Sequence, residues 1–290
     1  MKLPVEDQRV LWKAVTILER ESFVARLAEL TGEPVTRILN RLPSVVNSQI
    51  QRAVNGALGK ALDVALYRGV SRLPEPGTIV FQALSGVTGG VSGFFGLTTL
   101  PLELPVTTTL MRRSIAGIAR SHGENLENPA SRLACLEVFA LGPQRKARRG
   151  PGDENTYIAT RAFLAKAVSE AAQVMAEQGV ARTSAPVILD LITAVGSRFG
   201  LIVSEKVAAG AIPVVGAIGG AAVNLACMDH FQQLAQAHFA IRSLERRHGP
   251  PEVLRYYGAY VPMVRERLAK RTARILPGAI YTQFHRAPRL

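Results

Sequence analysis

A chain of 290 residues is long enough for one large domain or two modest ones, and its net charge of +13 asks for a polyanionic neighbour. Hydrophobic residues make up 48% and aromatics only 6%, with a mean hydropathy of +0.14, which is high for a soluble globule but low for a multi-span membrane protein and favours close packing of small side chains. The two cysteines, Cys135 and Cys227, both sit in apolar surroundings and exclude a disulfide framework and a zinc site built on thiolates.

The opening MKLPVEDQRVLWK is charged and amphipathic and has no apolar core before a small-residue cleavage site, so it reads as cytoplasmic rather than secreted. Residues 5–30 carry Leu11, Val15, Leu18, Val24, Leu27 and Leu30 at three- and four-residue steps up to Thr31-Gly32, which predicts an amphipathic helix. A short helix is expected after Pro34, and a long one from Val46 to Arg68, before the break at Pro74-Glu75-Pro76-Gly77. Residues 76–102 then run for 27 positions without a charge, with Gly86/Gly90 and Gly89/Gly93 each four apart on one helical face. Pro101 and Pro105 bracket Glu103, so LPLELP reads as a bend ahead of a helix over 107–121.

A short helix at 130–141, the exposed basic loop RKARR at 145–149 and a helix over 156–178 follow. Ile158, Phe163, Leu164, Val168, Ala172 and Met175 define the apolar face of that third element. Another helix is expected at 186–209. The most organised stretch is 207–231, uncharged until Asp229 and His230, with Gly216, Gly220 and Asn224 in one row and the helix continuing to His248. The tail predicts a short helix at 252–257 and a last one over 262–276.

No alternating strand pattern and no strand–glycine loop–helix unit emerges. The expected fold is all-α: a single multi-helix domain with two Gly-rich central helical hairpins. Its parts are N-terminal amphipathic helices (1–50), a helical core (51–260) and a basic C-terminal helix and tail (261–290). An internal echo accompanies this division: SIAGIARSHG at 114–123 and AIRSLERRHG at 240–249 both finish in Arg-x-His-Gly, which is also ordinary helix-terminating chemistry.

The charge is concentrated late. Residues 241–290 hold 11 Lys and Arg against 3 Asp and Glu. Arg267, Lys270, Arg271 and Arg274 form one stripe at helical spacing, beside Val261, Val264, Leu268 and Ile275. A helix of this kind can lie in the headgroup layer of an anionic membrane, or pack on the body with its charges in water. The Gly-rich stretches are poor spans: the first is rich in Ser, Thr and Gly, and the second leaves only about 15 residues between Pro213 and Asp229.

Catalytic signatures are sparse. The glycines at 86–96 lack a following Lys-Ser/Thr, and neither Gly-x-Ser-x-Gly nor His-Glu-x-x-His occurs. The five histidines are scattered, so no metal and no cofactor is expected. Tyr256, Tyr257 and Tyr260 are the chain's one aromatic cluster beside arginines, too local to argue for nucleic acid. What remains is a set of polar groups in apolar sequence. Glu103, Glu205, Lys206, Asp229 and His230 are the candidates for a site, and Arg112, Lys166, Glu170 and Asn224 for a buried polar network, because buried charges need partners.

LPLELPVTTTLMRRSIAGIARSHGENL at 100–126, together with LDVALYRGVSRLP, SGVTGGVSGFFGL, IPVVGAIGGAAVNLACMDHF and AHFAIRSLERRHG, resembles the bacterial EcsC family over roughly residues 55–260. The resemblance implies a cytoplasmic, membrane-associated helical protein with no established enzymatic activity. The founding member is encoded beside the subunits of an ABC transporter, and the resemblance assigns no catalytic residue. The acidic bend and the Pro–Gly–Asn–Asp segment also resemble helical hairpins of certain membrane-associated bacterial GTPases, without their nucleotide-binding domain. The expected function is that of a non-enzymatic accessory protein at the inner face of the cell membrane, bound to an anionic surface or a membrane complex. The alternative is a soluble hydrolase built on Glu103, Asp229 and His230, which requires those side chains to converge.

Overall fold

The computed structural model describes residues 2–20, 23, 27, 39, 43–66, 100–142, 156–178, 185–210 and 219–275. Helix α1 spans Val5–Leu18 and buries Leu11, Ala14, Val15 and Leu18. It stops twelve residues before the expected end at 30, where Arg265 donates to Glu19 at 2.7 Å, a tertiary tie that periodicity does not reveal. Phe23 and Leu27 are helical and buried further on, and the helix expected after Pro34 lies outside the described residues apart from Leu39.

Helix α2 (Ser44–Leu66) buries Ile50, Val54, Ala57, Leu58, Ala61 and Leu62 at helical spacing and packs on two later helices, α3 (Leu100–Ser121) and α6 (Pro186–Gly210). The rest of the first Gly-rich stretch, 76–99, and the start of the second, 211–218, lie outside the described residues, and with them the expected hairpins. A different glycine pair makes a close crossing. A Cβ on Gly196 would stand 2.2 Å from Asn55 Oδ1, and one on Gly200 would stand 2.6 Å from Gln51 Oε1, so α2 lays its amides directly on the α6 backbone.

LPLELP is not a bend. Helix α3 starts at Leu100 and runs through both prolines. Pro101 falls in the first turn, where no N–H is needed, and Pro105 leaves only the first-turn carbonyl of Pro101 without its usual donor. Thr107 and Thr109 bond back to carbonyls of the preceding turn, Thr109 to that of Pro105 at 2.7 Å. At the other end Gly123 takes φ +80°, and the N–H groups of Gly123 and Glu124 close on the carbonyls of Arg120 and Ala119.

Helix α4 (Pro129–Glu137) is capped by Asn128, whose side chain accepts from the Ala130 N–H, and tightens into a 3₁₀ turn over Val138–Ala140. Helix α5 (Thr156–Gln178) lies against α4 and α6. Its buried row is Tyr157, Thr160, Leu164, Ala171 and Met175, which leaves Phe163, expected on the apolar face, 63% exposed. Helix α7 (Gly219–His248) is the axis of the fold and touches α1, α3, α6, the 3₁₀ turn and the last helix, α8 (Pro250–Ile275). Phe139, Phe199 and Phe231 meet there with ring centroids 4.9 to 5.5 Å apart, so a few of the scarce aromatics fill the centre.

The two short helices expected in the tail are one. Pro262 is exposed, so the carbonyl that it leaves without a donor, on Gly258, faces the wet side of α8, and the helix continues. Among the described residues every element is helical, and α1 and α8 share one hydrophobic core with the central helices.

Candidate functional site

Three of the singled-out residues meet where α3 begins, α6 ends and α7 begins. Lys206 Nζ donates to Glu103 Oε1 at 2.5 Å, and Asn224 Nδ2 donates to the same oxygen at 3.1 Å. Glu103 sits in the first turn of α3, where the helix dipole favours its charge. Both charged side chains are about nine-tenths buried, so the pair replaces hydration with one short ion pair and an amide. Glu205 is buried next to Lys206 on α6. Burial, with Glu103 and Glu205 nearby, pushes the Cys227 thiol up to about 12 despite the opposing charge of Lys206, so Cys227 stays a neutral thiol.

Asp229 and His230 do not join this group. They follow Asn224 by about 7.5 to 9 Å along α7 and leave the helix on other faces. Gln233 donates to Asp229 at 2.8 Å, and the His230 ring packs 5.2 Å from Phe23 and 5.4 Å from Phe231. The convergence that a hydrolase would require is therefore not present among these contacts.

The buried network also needs correcting. Arg112 and Asn224 are buried, on α3 and α7. Lys166 and Glu170 lie on the back of α5, with side chains 86% and 49% exposed and 3.8 Å apart, a solvated surface pair.

Two charged clusters that sequence reasoning missed lie at the other end of α7. Glu124, just past the end of α3, accepts from Arg242 at 2.8 and 3.3 Å, from Ser131 at 2.6 Å and from Arg246, which also donates to the His122 carbonyl. Burial would raise its pKa, but the hydrogen bonds from Arg242 and Ser131 and the charges of Arg242 and Arg246 outweigh it and hold the carboxyl at about 2. Beside it, Arg161 pairs with Glu245 through two hydrogen bonds of 2.7 and 3.0 Å, and Tyr157 OH lies 3.1 Å from His238 Nδ1. His238 Nε2 faces Glu137 Oε2 at 3.6 Å. The available signal was His238, Arg242 and Glu245 at i, i+4 and i+7, a polar stripe on a helix with apolar residues on its other faces.

Gln232 donates to Ser114 at 2.8 Å and His122 contacts Gln236 at 2.9 Å, so together with Glu103–Asn224 and Glu124–Arg242 they show α3 and α7 running side by side in the same direction. Both helices end on a positive-φ glycine, Gly123 and Gly249, as their shared Arg-x-His-Gly endings anticipate.

On α8, Arg267, Lys270 and Arg271 are exposed, while Val253, Tyr257, Val261 and Val264 are buried. The helix includes Arg274, whose side chain lies outside the described residues, as does that of Ile275. Tyr257 stacks on Tyr157 at 5.4 Å, Tyr260 donates to Gln8 at 3.2 Å and meets Trp12 edge-on, so these rings serve the core and the α1–α8 contact rather than a stacking platform. Among the described residues no group of three or more His, Cys, Asp or Glu could hold a metal ion.

No curated protein and no solved structure matches the chain. A family profile, that of the EcsC protein family, matches residues 12–244, from within α1 almost to the end of α7. With four-fifths of its length matched, the chain belongs to the EcsC family.

Proposed function

We propose that this chain is a non-enzymatic accessory protein that binds the anionic cytoplasmic face of a membrane, in the service of a membrane complex. The observation that carries the reading is the division of α8 into an exposed row of Arg267, Lys270 and Arg271 and an apolar row already packed on the body. Each such cation near an anionic surface contributes about 1 kcal/mol, and the tail beyond residue 240 carries a net +8. Because the apolar row is occupied, attachment runs on charge and weakens with salt. Pro186–Ala209 is long and apolar enough to cross a membrane, but half of its most apolar window is buried and it packs against α2, α5 and α7, which supports its reading as a core helix. A transport complex is the partner class that the family resemblance suggests.

Sedimentation with vesicles tests this. The protein is expected to pellet with phosphatidylglycerol-containing vesicles at low salt, to stay in solution with pure phosphatidylcholine, and to be released by high salt. Replacing Arg267, Lys270 and Arg271 with Ala should weaken the binding. No binding to the anionic vesicles at low salt would overturn the reading, and retention until detergent is added would replace it with insertion into the bilayer.

A further inference from the structure

The junction of α4, α5 and α7 contains a hydrogen-bond chain whose direction follows from donor and acceptor counting. Arg161 Nη1 can only donate to Tyr157 OH, at 3.4 Å, and among the described residues His238 Nδ1 at 3.1 Å is the acceptor within reach of the buried phenol hydrogen, so the phenol donates to the ring. His238 is then the tautomer with its proton on Nε2, facing Glu137 Oε2 at 3.6 Å. A second proton on the ring would have to displace the phenol hydrogen. Burial, with Arg161 and Arg242 nearby, also holds the His238 pKa well below its ordinary value, so the ring is neutral.

The groups around the ring are Glu137 from α4, Tyr157 and Arg161 from α5, and Arg242 and Glu245 from α7, with Tyr257 of α8 stacked on Tyr157. Both guanidinium charges are committed elsewhere, Arg161 to Glu245 and Arg242 to Glu124. Among the described residues Glu137, more than nine-tenths buried, is left with no hydrogen-bond donor at bonding distance and no cation of its own. We propose that Glu137 is kept as a neutral carboxylic acid at neutral pH, so that the closed junction holds one proton that the opened junction gives up. Burial is the largest influence on this carboxyl and raises its pKa, against the more distant charges of Arg161 and Arg242.

The pH dependence follows. In the opened junction Glu137 ionises above about 4.5 and His238 loses its proton above about 6.5. Above about pH 6.5 the closed form therefore holds a proton that the open form lacks, and opening becomes easier by about tenfold per pH unit until Glu137 ionises in place. Below that pH the opened form's protonated His238 offsets the difference and the slope disappears. The junction is tightest in mildly acidic solution.

Hydrogen exchange of the α5 amides in the full chain, corrected for the intrinsic rate, reads the opening. The expected result is opening that rises between pH 6.5 and 8.5 in the natural protein and stays flat over that range in Glu137→Gln, whose amide mimics the neutral acid. A flat profile in the natural protein, or the same rise in both, would overturn the proposal. Carbon-13 NMR of carboxyl-labelled glutamates in the natural protein gives an independent reading. One glutamate should keep the protonated-acid shift at pH 7, and uniformly ionised glutamates would sink the idea even if the variant failed to fold.

Discussion

The two ends of the parallel α3–α7 pair solve the same problem with opposite resources. At the start of α3, Glu103 enjoys the favourable end of the helix dipole, and among the described residues one lysine and one amide donate to it. At the far end, Glu124 sits at the unfavourable pole, just beyond the carbonyls that close on Gly123, and it needs two arginines and a serine. One of those arginines, Arg246, also satisfies the His122 carbonyl, so it neutralises the carboxylate and the helix end together. A charge placed with the dipole can be held cheaply, whereas one placed against it recruits a cluster.

Breaking each end in turn gives the largest effect. Glu124→Ala strands the half-buried Arg242 and should cost about 3–5 kcal/mol in chemical denaturation. Glu103→Ala removes the acceptor shared by one lysine and one amide, against two arginines and a serine at Glu124, and should cost about 1–3 kcal/mol. Equal losses would mean that the recruited cluster adds nothing over the simple pair. Acid sharpens the same contrast. Glu124 is held at about 2 against an ordinary 4.5, so the stability it supplies is complete above pH 4.5 and is lost as pH falls towards 2. In Glu124→Gln that part of the acid slope should vanish from the denaturation midpoints. The smallest effect belongs to neither end: Lys166→Ala should leave the unfolding midpoint where it is, because its partner Glu170 is already in water.

The Glu103 end was legible in the sequence and the Glu124 end was not, for a physical reason. Glu103, Lys206 and Asn224 interrupt long uncharged runs, and a charge in apolar sequence advertises a buried partner. Glu124, Arg242 and Arg246 stand among other charges in stretches that read as ordinary helix ends, and only the third dimension separates the buried ones from the solvated. Lys166 and Glu170 failed in the opposite sense, since a four-residue spacing puts two side chains on one face without saying which way that face looks. The helices themselves were mostly readable from their apolar periodicity. The boundaries expected at Pro105 and Pro262 are absent because each proline removes a single backbone hydrogen bond, at Pro105 from the first turn and at Pro262 on the exposed side of the helix.

Continuity through Pro262 gives the basic tail a mechanical character. Twenty-six residues without a joint make α8 a rod about 39 Å long, clamped along its first two-thirds by Tyr257, Val261, Val264 and the Arg265–Glu19 pair. Arg267 rides about 25 Å from the rod's base, and Lys270 and Arg271 within a turn of it. Two short helices hinged at the proline would let those cations swing independently of the body. A single rod makes them a ruler: any surface they touch is held at one stand-off and one tilt relative to α7.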